Sequence, residues 1–464
     1  MSQALELAAL IQLLNGPTAW FTRAARLARV DHATFFSAAS KIWGSLAGIV
    51  SIALIVKAMS PEVQGFYYTF ASLLALQVLL ELGFSYVIVQ VTAHEFAISR
   101  EHPDPNQREF ARSRLISLLR LSLQWYAVIA LVFWLGCSLA GEIFFRVTYA
   151  GNASHWQGAW LSSVTMFSAC IVLIPIYAIL DGSNEIAAVA KTRIIQDLFG
   201  YSIFWLSLLA GQGLYSVAGL YLGKLIGSGV GLTLTGLKDR IKALLGEAAL
   251  TKASISWRKE IFPFQWKIAL SWLSGYLIFQ LYSPVLFATQ GATIAGQAGM
   301  TIAIYSGVNS VMYTWISAKI PRFCELVALK KWGPLNDLFR KTVLASSVII
   351  AVGLSGLTSA IIVLRPHFPS LSERFLGNGA IICFAMTALV NHFILSIAAY
   401  ARAYKEEPFL IPSIVGAMLT AACVIFLARY SAFAVALGCC VMTMCCSLPW
   451  TVKIYLSYRK AQVD

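Results

Sequence analysis

The chain has 464 residues, of which 58% are hydrophobic and only 12% charged, with a formal net charge of +14. That much apolar surface cannot be buried in one aqueous core, so lipid must be the solvent for most of the chain. This excludes a soluble globular enzyme. The placement of the cations shows the positive charge to be a topology signal, which leaves no case for a nucleic-acid partner.

Taken in chain order, residues 1–33 are too charged and too interrupted for a signal peptide. Thr18 to Arg29 reads as an interfacial helix, with Trp20 and Phe21 among headgroups and Arg23, Arg26 and Arg29 towards acidic lipid. A hydrocarbon core of about 30 Å needs about 20 apolar residues per helix. Apolar stretches between charged breaks predict spans over 35–58, 63–97, 113–141, 157–181, 185–210, 213–236, 260–288, 293–318, 342–364, 377–401, 408–428 and 431–453. The expected fold is therefore an all-α polytopic membrane protein of about twelve transmembrane helices. It divides into an N-lobe over 34–236 and a C-lobe over 260–464, joined by a cytoplasmic linker over 237–259. Both halves start on the same side, so a duplication would be parallel, about an axis along the membrane normal.

Lys and Arg near span ends resist translocation and collect in the cytoplasm. With both termini inside, 28 of the 35 Lys and Arg residues fall on the cytoplasmic side. The opposite side keeps Lys57, Arg146, Arg365, Arg374 and Arg429, and only Lys224 and Lys267 lie deep within spans. The nine cysteines include no C-x-x-C, which indicates neither a disulfide framework nor a zinc site. The histidines are scattered and form no site; His392, inside a span, reads as a packing residue.

The second span opens Met59-Ser-Pro-Glu-Val-Gln-Gly-Phe-Tyr-Tyr and continues to Leu79-Leu-Glu-Leu-Gly-Phe-Ser. Pro61 suits a first helical turn, and Gly83 with Ser85 can loosen the helix near mid-membrane. Further motifs follow in order: Leu173-Ile-Pro-Ile-Tyr-Ala-Ile-Leu-Asp-Gly, Ile304-Tyr-Ser-Gly, Ile320-Pro-Arg-Phe, Leu335-Asn-Asp-Leu-Phe-Arg-Lys and Ala399-Tyr-Ala-Arg-Ala-Tyr-Lys-Glu-Glu-Pro. Together they resemble the polysaccharide (O-antigen) flippase family of the multidrug/oligosaccharidyl-lipid/polysaccharide exporter superfamily. The chain departs from many relatives at Ala288-Thr-Gln-Gly-Ala, where they carry an acidic residue. The resemblance implies two rocking lobes around a central cavity in the cytoplasmic (inner) membrane. It also implies a lipid-linked glycan as substrate, membrane lipid and other polysaccharide-assembly proteins as partners, no cofactor, and possible H⁺ or Na⁺ coupling.

A charge at the bilayer centre costs about 2.5–3.5 kcal/mol on insertion scales, so each one must line a cavity, pair or snorkel. Lys224 is the deepest, and either contacts a diphosphate or sugar or pairs internally with Asp197. Lys41 and Lys267 can snorkel to the cytoplasmic face; the resemblance places their spans around the cavity, where an ammonium would attract a diphosphate. If Glu81 faces the cavity, burial would favour its protonated form and make it a proton or sodium switch; the alternative is a static partner for a cavity lysine, and Asp197 is the second candidate for ion coupling. Gln265, Trp272, Tyr276 and Gln280 share one broad helical face, and Tyr305, Asn309 and Trp315 follow on the next span. Their rings and amides suit sugars; helix-to-helix hydrogen bonds, and an interface position for Trp315, are the competing roles.

Three functions follow. A flippase for a polyprenyl-diphosphate-linked oligosaccharide uses basic groups and an aromatic-amide stripe. A cation-coupled multidrug antiporter of the same superfamily would prefer acidic and aromatic cavity residues. A membrane polymerase or ligase needs long catalytic loops on the far side, and the sequence has none; it also lacks the phosphate-binding loop of an ATPase.

Overall fold

The computed structural model describes residues 32–246, 257, 262–368, 373–404, 408–460 and 462, and the regular structure among them is almost entirely helical. The expected interfacial helix over 18–29 and much of the 237–259 linker lie outside the described residues. Among the described residues, eight helical stretches are long and apolar enough to cross a membrane.

The N-terminal half runs α1 (His32–Ala58), α2 (Pro61–Leu74), α3 (Gln77–Glu81), α4 (Phe84–Glu101), α5 (Pro105–Thr148), α6 (Gln157–Ile171), α7 (Ile174–Gly182), α8 (Ile186–Leu209) and α9 (Tyr215–Leu234), followed by α10 (Leu237–Gly246). The C-terminal half runs α11 (Phe262–Phe279), α12 (Tyr282–Gln290), α13 (Ala292–Ser317), α14 (Ile320–Ala328), α15 (Trp332–Leu364), α16 (Asn378–Arg402), α17 (Leu410–Leu427), α18 (Ala432–Met442) and α19 (Leu448–Lys460).

Helix starts follow local chemistry. Ser60 accepts from the Val63 N–H with Pro61 next in line, and Asp104 accepts from the Asn106 N–H ahead of the 44-residue α5. Helix breaks have causes as well. The second predicted span is three segments rather than one: Leu82 (φ 51°) and Gly83 (φ 69°) both adopt the left-handed conformation between α3 and α4. The expected loosening at Gly83 is thus a full break that also recruits a leucine, at a cost of about 1–3 kcal/mol. Pro175, Pro284 and Pro449 each lack the N–H that would bond four residues back, and turns at 172–173 and 280–281 and a π-turn over Thr443–Ser447 precede them. The short α14 is amphipathic, with Phe323 and Leu326 buried against Phe339 and Tyr400.

Helix pairing repeats between the halves. In the first, α1 packs on α8, α8 on α9, α9 on α6, α6 on α5, and α4 on α5 and α7. In the second, α11 packs on α17, α17 on α18, α18 on α16, α16 on α15, and α13 on α15 and α16. The order is the same, which is what a parallel structural repeat requires. The halves meet chiefly where α2 crosses α13.

Candidate functional site

The sequence-predicted residues fall in three places rather than one. The first lies within the N-terminal half. Lys224 on α9 reaches Asp197 on α8 at 3.1 Å, and both side chains keep partial exposure. A glycine repeat makes this possible: Gly219, Gly223, Gly227 and Gly231 recur every fourth residue and let the backbones approach closely. A methyl at Gly223 would sit 2.5 Å from the Phe199 carbonyl oxygen, and one at Gly200 would sit 2.8 Å from Lys224 Cγ. The internal pair, one of the two roles open to Lys224, is the one this conformation adopts.

The second place is the seam between halves. Glu81 is 3% exposed at the end of α3. Its carboxylate accepts from Gln77 and, at 3.0 Å, from the Tyr126 hydroxyl on α5. Among the described residues no cation reaches it within ion-pair distance. From across the seam, Gln265 donates to the Glu81 backbone carbonyl at 3.5 Å and accepts from Trp257 Nε1 at 3.1 Å. Tyr276 donates to the Ser72 carbonyl on α2 at 3.2 Å. The two residues share a helical face, as the periodicity predicts, but here their donors serve contacts between halves. Trp272 on the same helix and Gln280 just past its end are partly exposed and do not line the cavity described next. The side chains of Lys41 and Lys267 lie outside the described residues, and Trp315 is exposed.

The third place is a cavity of about 250 Å³ inside the C-terminal half, between α11, α13, α16, α17 and the α18–α19 π-turn. Tyr305 and Asn309 line it, with Ser274, Asn391, Thr420, Thr443, Ser447 and Thr451. Phe279, Tyr282, Phe384, Phe409 and Trp450 supply aromatic walls, and no charged side chain contributes. Tyr305 shares a hydrogen bond with Thr358 at 2.9 Å. Asn309 donates to the Ala388 carbonyl at 3.0 Å, while its buried Oδ1 has no partner among the described residues. A buried amide oxygen without a donor costs about 1–3 kcal/mol, and a ligand hydroxyl could remove that cost. Sequence reasoning missed Asn391 and the threonines of α17–α19. Their signal was an excess of Thr, Ser and Asn on helices otherwise fully apolar.

Sequence reasoning also missed Gln64 and Arg374. Arg374, in the connection before α16, is 7% exposed. It donates to Gln64 Oε1 at 3.2 Å and to the Val56 carbonyl at 2.9 Å, while Gln64 donates to the Gly296 carbonyl at 2.8 Å. Burial pushes the Arg374 guanidinium below its ordinary pKa, and the adjacent Glu373 pulls it back up. Among the described residues no group of His, Cys, Asp and Glu could hold a metal ion.

No family model matches the chain, and no curated protein matches it. Solved structures match its fold. An inward-facing multidrug resistance transporter of the MATE family, MOP superfamily, aligns with a TM-score of 0.61 and 15% identity, over 90% of this chain and 96% of that chain. The MATE multidrug transporter DinF-BH, solved with a ligand bound, aligns with a TM-score of 0.60 and 14% identity, over 93% of this chain and 96% of its own. An outward-facing MATE structure aligns with a TM-score of 0.51 and 14% identity, over 92% and 94%. The chain has the fold of the MATE transporters of the MOP superfamily.

Proposed function

We propose that this chain is a flippase that moves a polyprenyl-diphosphate-linked oligosaccharide from the inner to the outer leaflet of the cytoplasmic membrane, for assembly of cell-surface polysaccharide. In this reading it crosses the membrane twelve times, as six-helix lobes over 34–236 and 260–464 with both termini in the cytoplasm, and works by alternating access. The observation that carries the reading is the cavity in the C-terminal half. Hydroxyls, amides and aromatic faces without a single charge suit neutral sugars, whose hydroxyls need partners and whose C–H faces stack on rings. Its volume lies just below the roughly 300–1,000 Å³ of ordinary ligand pockets, so it would hold one small part of a large substrate at a time. Lys41 and Lys267 remain the groups we assign to the diphosphate, with Lys224 available once Asp197 releases it.

A second reading, a cation-coupled multidrug antiporter, is favoured by the MATE neighbours and by Glu81. A buried carboxylate with only neutral partners among the described residues is a natural proton or sodium acceptor. Ion coupling there is compatible with either cargo.

Depletion of the protein from its native cell separates these functions. The flippase reading expects complete lipid-linked oligosaccharide to accumulate on the cytoplasmic leaflet. Complete units that still reach the outer leaflet would contradict it.

A further inference from the structure

We propose that Arg374 and Gln64 form the latch of an outer gate, closed in this structure, that must break each time the transporter releases cargo. The proposal rests on the alternating-access reading above but not on the identity of the cargo. It concerns the end of the bundle where α1 meets α2, α12 meets α13 and α15 leads to α16. In the sequence-based topology this is the end that carries few basic residues.

Four observations converge there. Arg374, from the C-terminal half, donates to the Gln64 side chain and the Val56 carbonyl of the N-terminal half. Gln64 returns two bonds, to the Gly296 carbonyl and, at 3.2 Å, to the Arg374 carbonyl. The bridge is therefore reciprocal and crosses the seam four times. Directly beneath it the backbones touch: a methyl at Gly65 would overlap the Ala292 carbonyl, one at Gly296 would sit 2.7 Å from the Gly65 nitrogen, and one at Gly299 would overlap Tyr68. Phe66, next to Gly65, packs edge-on against Phe287 of the opposite half with ring centroids 4.9 Å apart.

The chemistry of the bridge suits a gate better than a permanent joint. Arg374 is almost wholly buried, yet its partners among the described residues are an amide and a carbonyl, and its Nε has none there. A carboxylate at position 64 would bind the guanidinium too firmly to release it, since separating a buried ion pair leaves two uncompensated charges. A neutral partner seals the end, and water can take its place when the end opens. Gly65 and Gly296 let the two backbones close flat against each other.

The test is amide hydrogen exchange on the full-length protein in lipid nanodiscs, without substrate, comparing the parent with Arg374→Gln and Gln64→Leu. In Arg374→Gln, exchange over residues 56–66 and 373–378 should accelerate about tenfold, the loss expected for charge-assisted bonds. Exchange over 77–83 and 262–270 should slow, because opening one end closes the other. In Gln64→Leu, which removes the acceptor for Arg374 and both donors, the outer segments should also exchange faster than in the parent. Unchanged outer segments in Arg374→Gln or in Gln64→Leu would overturn the latch. So would acceleration spread evenly through α5 and α8, which marks general destabilisation. If the latch behaves as stated while lipid-linked glycan does not move, the cargo assignment fails and the gate stands.

Discussion

Glu81 and Lys224 are both ionisable groups held within the membrane-spanning bundle, but they are stabilised in different ways. Lys224 has a counter-charge; Glu81 has a hydroxyl and an amide. The difference predicts different mutant behaviour. Glu81→Gln keeps an oxygen for Tyr126 and sacrifices about one hydrogen bond, about 1 kcal/mol, so the protein should reach normal membrane abundance. Transport by reconstituted Glu81→Gln should lose its response to an imposed pH or sodium gradient; a response equal to the parent's would remove Glu81 from ion coupling. For the Lys224–Asp197 pair, partial exposure places the coupling between that of surface and buried pairs, at about 1–2 kcal/mol. A double-mutant cycle of Lys224→Met and Asp197→Leu, read by thermal unfolding in detergent, should return that coupling. If the double variant regains stability but not transport, the lysine serves the substrate as well as the fold.

At the scale of elements, glycine placement decides which helices touch. Gly223 faces α8, while Gly229 on the same helix is exposed with nothing near its Cα hydrogen. Gly223→Ala should therefore destabilise by about 1–3 kcal/mol through overpacking and pull Lys224 away from Asp197. Gly229→Ala should be neutral or stabilise by up to about 1 kcal/mol through helix propensity. Equal unfolding temperatures for the two variants would contradict the packing account. The α9 repeat is plain in the sequence, as are the apolar stretches of α5, α15 and α16 and the proline positions at which rods break. What period alone cannot give is the neighbour a face meets. Gln265 and Tyr276 share a face as predicted, but only the folded arrangement turns that face towards the carbonyls of Glu81 and Ser72. Arg374 looked like one of five stray cations on the far side, because its partner Gln64 lies 310 residues away in sequence.

For the whole molecule, helix pairing repeats between the halves, which meet chiefly where α2 crosses α13 and share one apolar core. The described hydrogen bonds across the seam are few: Gln265 and Tyr276 deep in the bundle, Gln64 and Arg374 at one end. At about 0.5–1.5 kcal/mol for each neutral bond and about 1.5–3 for each charged one, they sum to a barrier that water and a bound ligand can offset. In the proposed reading, cargo identity is set by what the C-terminal cavity accepts. Asn309→Leu, which removes the unpartnered amide oxygen while keeping its volume, should lower glycan transport at least about fivefold and leave unfolding temperature within a few degrees, the loss of one ligand hydrogen bond. The most direct measurement of the central claim uses purified protein in liposomes loaded with a polyprenyl-diphosphate-linked oligosaccharide in one leaflet. Appearance of the glycan in the other leaflet is scored by an impermeant glycosidase, with uptake of a cationic rhodamine dye followed in parallel. Protein-dependent movement of the glycan lipid is the expected result; dye uptake with no movement of the glycan lipid would rule out a flippase for this cargo.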